Sequence, residues 1–241
     1  MILKKLAKVI FYKLPLKIRC KVQSTRLGGV IGIGQGSYIH PSVHLLGKSN
    51  IRVGSNTCIS EGCWLNVNHN KDKGLAIEVG NNCFIGKQNF FTSGDVILIG
   101  DYTLTTVGCK FICSTHRFHN PEIPYILTGT TSEDRIQIGV NCFFGAGATV
   151  LGNVKIGYGS IIGADSLVLQ DVPPFSIAVG NPAIVIKRYS FPKKIWLLVS
   201  DMSSDDLIGM PNEEDYLKKL KEKFPYINLP WIAAGKSMGD L

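Results

Sequence analysis

Residues 138–173 read, in blocks of six, IGVNCF FGAGAT VLGNVK IGYGSI IGADSL VLQDVP. Each block opens on an aliphatic or aromatic residue, usually followed by glycine, and Cys142, Ala148, Ser160 and Ser166 fall at the fifth place of theirs. Ile138 and Ile156 are 18 residues apart, which is three blocks. A narrow three-sided solenoid needs this pattern, because each face sends one large side chain inward and each corner has room only for a small one. The buried strands of a sandwich would not repeat glycine at one phase, so the stretch specifies a parallel β-helix.

The same frame is found upstream in IGQGSY from Ile33, VGSNTC from Val53, VGNNCF from Val79 and IGDYTL from Ile99. The intervals from Ile33 to Val53, Val79, Ile99 and Ile138 are 20, 26, 20 and 39 residues, against 18 for a regular coil. The excess predicts a two-residue bulge near Gly47 to Ile51, an interruption at HNKDKGLA (69–76), and a long loop extruded over 117–135 after His116. Long loops on a regular array are commonly functional, which places a site there. Beyond Val168 the frame dissolves into DVPPFSIAVGNPAIVIKRY, where two prolines end the coil and Gly180-Asn181-Pro182 turns the chain into a short strand ending at Lys187 and Arg188. The expected organisation is an N-terminal segment over 1–29, a β-helix over 30–189 and a C-terminal extension over 190–241, with a helix in EEDYLKKLKEKF (213–224).

The N-terminal segment places Ile2, Leu3, Leu6, Val9 and Ile10 at helical spacing against Lys4, Lys5 and Lys8, with Pro15 as a stop. Such a basic amphipathic helix either caps the first coil, as repeat arrays require, or lies on an anionic membrane surface. The net charge of +8 and a pI near 9.1 favour anionic partners. No zinc-finger, helix-turn-helix or RNA-recognition pattern accompanies that charge, so nucleic acid is not expected. The seven cysteines contain no C-x-x-C pair, and Cys63, Cys83, Cys109 and Cys142 occupy fifth places as compact apolar filler. Packing explains them better than disulfides or zinc. With no secretory leader and no apolar run of about 18 residues, a cytoplasmic protein is expected, peripheral at the inner face of a membrane if the N-terminal helix binds lipid.

Five histidines occur. His40 and His44 precede any loop and are expected at the surface, and His69 lies at the first interruption, where it could face a neighbouring subunit. His116 stands at the lip of the long loop, in Cys113-Ser-Thr-His-Arg-Phe-His119. Three readings are open for these residues: a three-histidine metal site from His69, His116 and His119, a general base in acyl transfer, or ordinary loop histidines.

The hexapeptide frame, the His116 loop and the tail 171–188, occurring in that order, resemble the left-handed β-helix acyltransferases, and among them the sugar and polysaccharide O-acetyltransferases related to galactoside, maltose and nodulation-factor acetyltransferases. The resemblance covers about residues 30–190. It implies a left-handed coil, a homotrimer with acetyl-CoA between neighbouring solenoids, and no metal. It also implies residue roles: His116 as general base, the Ala146 N–H as oxyanion donor, Gly163 and Ala164 along the pantetheine arm, and Lys187 and Arg188 near the adenosine phosphates. Two positions depart from the pattern. Gly86 stands where those enzymes carry an asparagine, leaving Gln88 and Asn89 as candidates to orient the acceptor, and Leu169, Gln170 and Ile184 stand where they carry a further basic pair.

The expected function is therefore acetyl-CoA-dependent O-acetylation of a sugar hydroxyl in surface polysaccharide or lipopolysaccharide assembly. The alternative in the same class is N-acetylation of an amino sugar or nucleotide sugar. A γ-type carbonic anhydrase shares the solenoid but lacks support from ligand spacing here, and an ice-binding solenoid would need threonine ladders where this chain has Asn56, Lys87, Tyr102 and Tyr158.

Overall fold

Short strands separated by sharp corners stack into three parallel sheets. The computed structural model describes residues 30, 32–69 and 74–227. The first face is built from Gly32–Ile33, Ile51–Val53, Ile77–Val79, Val96–Ile99, Arg135–Ile138 and Val154–Ile156. The second carries Tyr38–Ile39, Cys58–Ile59, Phe84–Ile85, Leu104–Thr105, Phe143–Phe144 and Ile161–Ile162, and the third His44–Leu46, Trp64–Val67, Phe90–Ser93, Lys110–Ile112, Thr149–Leu151 and Leu167–Val168. Every successive pair of coils is in parallel register, as in Leu104 opposite Phe143 and Phe143 opposite Ile161.

The block rule is the packing rule. First-place residues such as Ile59, Ile85, Phe144, Ile156 and Ile162 are fully buried, and the third face fills its interior with Leu65, Phe91, Phe111 and Val150. Phe91 and Phe111 stack at 4.8 Å, and Phe111 meets Phe144 edge to face at 5.2 Å. Fifth-place residues are buried as well, and the polar ones satisfy the backbone of the next coil: the hydroxyl of Thr57 donates to the Gly80 carbonyl at 2.6 Å and that of Ser160 to Pro173 at 2.9 Å. Second-place glycine is required by stacking, because a Cβ on Gly145 would lie 2.4 Å from the Ala164 nitrogen of the coil above. The fourth place is left-handed at the first-to-second corner, in Asn56, Asn82, Tyr102 and Asn141 among others, which explains the abundance of asparagine there.

All the irregular insertions leave from one edge, the corner between the third and first faces. The expected bulge at 47–51 is a turn of 3-10 helix at Lys48–Asn50. The chain also leaves this corner after Val67, before the expected interruption at 69–76, and after Ile112 for the long loop. The loop begins earlier than its expected bound: the strand ends at Ile112, Cys113 is buried, and the next strand begins at Arg135.

The C-terminal extension belongs to the same body. Ser176–Gly180 completes the second face, the chain turns at the cis Asn181–Pro182 bond, and Ala183–Ser190 and Ile195–Leu198 add two antiparallel strands. The sheet therefore continues across position 190, where the extension was expected to begin. Helix α1 (Glu213–Lys223), capped by the Asn212 side chain, then lies back along the first-to-second corner. Glu213 accepts from the Val140 N–H at 2.9 Å, Tyr158 donates to the Pro211 carbonyl at 2.8 Å, and Tyr102 donates to the Phe224 carbonyl at 2.9 Å. Tyr102 and Tyr158, expected to point outward, are thus covered by the chain's own C-terminal segment. The N-terminal amphipathic helix lies outside the described residues.

Candidate active site

The long loop stands on a neck of two antiparallel segments. Thr131 N–H donates to the Thr115 carbonyl at 2.7 Å, Arg117 N–H donates to Gly129 at 3.0 Å, and His116 pairs with Thr130 between them. Arg117 and Glu133 form an ion pair at 3.0 Å on the same neck. His116 is exposed, and its imidazole makes no hydrogen bond among the described residues. An imidazole on a hydrogen-bonded ribbon with both nitrogens open is positioned to accept a proton from an incoming group. The position differs slightly from the one expected, since His116 is two residues past buried Ser114 and outside the last strand of its coil, which ends at Ile112.

A second feature lies at the corner between the second and third faces. At the first-to-second corner three of the turn N–H groups are capped by neighbouring side chains: Ser55 by Asn81 and Asn81 by Asp101, both at 2.8 Å, and Val140 by Glu213. At the second-to-third corner the equivalent N–H groups of Lys87, Val107, Ala146 and Ala164 find no acceptor among the described residues. Stacked coils repeat every ~4.8 Å, so these groups form an open column of donors along one edge of the solenoid. Ala146 and Ala164 add only methyl groups, and Gly145, Gly147 and Gly163 add none. The edge therefore offers backbone donors and little steric bulk to an extended ligand lying along the axis.

Of the expected site residues, the structure brings Ala146, Gly163 and Ala164 together on this edge, with exposed Gln88 at the same corner two coils before Ala146. Lys87 at that corner pairs with Glu61 at 2.9 Å. Asn89 is corrected: it is 1% exposed, and its amide donates to the carbonyls of Gly86, Lys87 and Thr106 at 3.1, 3.1 and 2.7 Å. Asn89 is the fifth residue of IGKQNF, where Cys63 and Cys109 sit on adjoining coils, so the frame itself points it inward and away from a substrate. Lys187 and Arg188 do not act as a pair. In the cross-strand register Lys187 lies opposite Ile177 on the outer side, whereas Arg188 lies opposite buried Ser176 and donates to the Pro174 carbonyl at 3.2 Å.

His116 does not meet this edge within one chain. It follows the far end of the third face, while Ala146 precedes the near end, and the intervening strand Thr149–Leu151 pairs with Lys110–Ile112. The other histidines are dispersed. His69, which could have faced a neighbouring subunit, bonds to the loop of its own chain, its Nε2 lying 3.1 Å from the Thr131 carbonyl and 3.0 Å from the Thr130 hydroxyl. His40 bonds to Ser42, and His44 is exposed beside Trp64 with ring centres 6.4 Å apart. Among the described residues no three His, Cys, Asp or Glu side chains are grouped to hold a metal.

The fold just described has relatives. No protein-family model matches the chain. Over 126 residues it is 36% identical to a protein of Staphylococcus aureus (strain COL) named provisionally as an acetyltransferase, covering 52% of this chain and 61% of that protein. The chain thus spans less than two thirds of that relative. Over 64 residues it is 52% identical to the serine acetyltransferase of Salmonella typhimurium, 25% of this chain and 23% of the other. Among solved structures, a variant of AntD, an N-acyltransferase from Bacillus cereus in complex with dTDP-4-amino-4,6-dideoxyglucose and coenzyme A, superposes with a TM-score of 0.59 at 20% identity, over 69% of this chain and 88% of that one. The fold is a left-handed parallel β-helix. A second AntD complex, with dTDP and 3-hydroxybutyryl-CoA, superposes with the same score and identity.

Proposed function

We propose that this chain is an acetyl-CoA-dependent O-acetyltransferase acting on a sugar hydroxyl in the assembly of a surface polysaccharide or lipopolysaccharide. The observation that carries the reading is His116, exposed and unbonded on an ordered neck, in a β-helix with an edge of uncapped backbone donors. The relatives named as acetyltransferases support the class, and the two CoA complexes of AntD support a CoA thioester as donor.

The donor would lie along the second-to-third corner, where the N–H groups of Ala146 and Ala164 are free and Gly163 leaves room for a pantetheine chain. Lys187, on the outer side of the added strand, would supply positive charge for phosphate. Acetyl-CoA brings an acyl group already activated as a thioester, so the chain need only position reactants and move one proton. His116 accepts the proton of the acceptor hydroxyl. The Ala146 N–H donates to the oxygen on which negative charge develops. Gln88, exposed on the same corner, is the side chain available to orient the acceptor.

Because His116 and Ala146 lie at opposite ends of the third face, the reading includes a homotrimer in which His116 of one copy faces the donor edge of the next. The exposed apolar residues of the loop, Ile126 at 84% and Leu127 at 73% exposure, suit such a contact. A cytoplasmic location with peripheral membrane contact through the N-terminal helix fits a lipid-linked glycan acceptor. A second reading, N-acetylation of an amino sugar, draws on AntD, whose complex contains an amino-sugar nucleotide. The test is thiol release from acetyl-CoA by wild type and His116→Ala with paired panels of neutral glycans and amino-sugar nucleotides. Turnover with a neutral glycan, lost about a hundredfold in the variant, is expected. Turnover confined to amino sugars would replace O- by N-acetylation, and a variant as active as wild type would remove His116 from the mechanism.

A further inference from the structure

The third-to-first corner carries two excursions from different coils, and they meet at His69. The Thr131 carbonyl can only accept, so its 3.1 Å contact requires a hydrogen on His69 Nε2. The same hydrogen reaches the Thr130 hydroxyl at 3.0 Å, which leaves Nδ1 uninvolved in the contact. Thr130 is the residue paired with His116 across the neck.

A two-residue-wide ribbon is marginal without packing from outside. The bonds that close the neck, from Thr131 to Thr115 and from the Ser114 hydroxyl to the Thr131 carbonyl at 2.7 Å, all join the loop to itself. At the loop's base, Asp95 N–H donates to the Asp134 carbonyl at 2.8 Å, beyond the segment that holds His116. Among the described residues, His69 supplies the hydrogen bonds that tie the Thr130–Thr131 segment to another coil.

We infer that His69 is a positioning residue: its Nε2–H clamps the return segment of the loop to the β-helix and thereby fixes the strand against which His116 is set. The inference rests on the acyl-transfer reading for its effect on rate, and on geometry alone for its effect on the loop. His69 makes no contact with the donor edge and takes no part in proton transfer. A displacement of about 1 Å at a reacting group can cost up to a hundredfold in rate, so loss of the clamp acts through His116.

The experiment compares full-length wild type, His69→Ala, His69→Gln and Thr130→Val. The terminal amide nitrogen of glutamine replaces Nε2–H as donor to the Thr131 carbonyl, and Thr130→Val removes the second acceptor while keeping the branched shape. Amide hydrogen exchange is followed at residues 115–117 and 129–131, and kcat and KM for acetyl-CoA and for the productive acceptor are measured alongside. For His69→Ala the expected result is at least tenfold faster exchange in the neck, kcat lowered about tenfold or more, and an unchanged KM for acetyl-CoA. His69→Gln returns both exchange and kcat to within about threefold of wild type, and Thr130→Val shifts both in the direction of His69→Ala by less. Wild-type exchange in the neck of His69→Ala overturns the inference, as does a rate loss that glutamine fails to rescue. If His69→Ala does not fold, an unchanged neck in Thr130→Val overturns it. If wild type turns over no acceptor, the acyl-transfer reading fails by itself, and the exchange measurements still decide whether His69 is the clamp.

Discussion

His116 and Asn89 show how much the environment of a single side chain decides. Both are polar candidates from the sequence, but one has an unbonded imidazole in solvent and the other uses its amide to hold three carbonyls at a corner. Asn89→Ala removes this shared donor, although the Lys87 carbonyl keeps the Gly108 N–H at 2.9 Å, and is expected to cost about 1–3 kcal/mol in chemical denaturation, with KM for the acceptor unchanged. The cysteines supply a second test at this scale. Burial pushes the Cys83 and Cys142 thiols up to about 12 and those of Cys63 and Cys113 to about 11. At pH 8 an alkylating reagent should leave these four unmodified until denaturant is added, as mass spectrometry would show, because the thiolate is the reactive form. The sign of the linkage follows. In the unfolded chain these thiols ionise near the usual value of ~8.5, so their contribution to stability is complete below that pH and declines as pH rises toward 11–12.

Among the elements, the C-terminal extension is held by a carboxylate. Asp206 is 2% exposed and accepts from Ser190 at 2.7 Å and from Ser203 N–H and hydroxyl at 3.0 and 3.1 Å, with Lys193 at 2.8 Å. The bond from Lys193, then those from Ser203 and Ser190, hold its carboxyl well below the usual range. A depressed folded-state value stabilises above the unfolded value of ~3.9, and that stabilisation is lost as pH falls through the folded value. Asp206→Asn should therefore lower Tm at pH 7, and the gap from wild type should close as the pH is taken below about 4. Near-ultraviolet circular dichroism would follow the Tyr189–Trp196 contact in the added strands, where the rings are 5.4 Å apart. The loop is the other element with a clear expectation. Ile126→Asp places a charge on its most exposed apolar residue and, on the homotrimer proposed above, should shift the native mass toward monomer in analytical ultracentrifugation.

Across the whole molecule, the hexapeptide frame made the solenoid, its coil boundaries and the positions of its insertions legible, because burial inside a three-sided coil repeats with the chain and leaves a periodic mark. The inward turn of Asn89 was legible too, had the fifth-place rule been applied to it as it was to Cys63 and Cys109. Residue types and spacing determined the β-helix, the small corners and the candidacy of His116. Tertiary structure alone decided that the insertions share one edge, that His69 reaches the neck of a loop 61 and 62 residues further along the chain, and that Glu213 at the start of α1 caps the Val140 N–H. Those are contacts between segments whose separation follows no period, and a repeat in sequence records what each coil needs from the next but not what an insertion or a terminus is folded against.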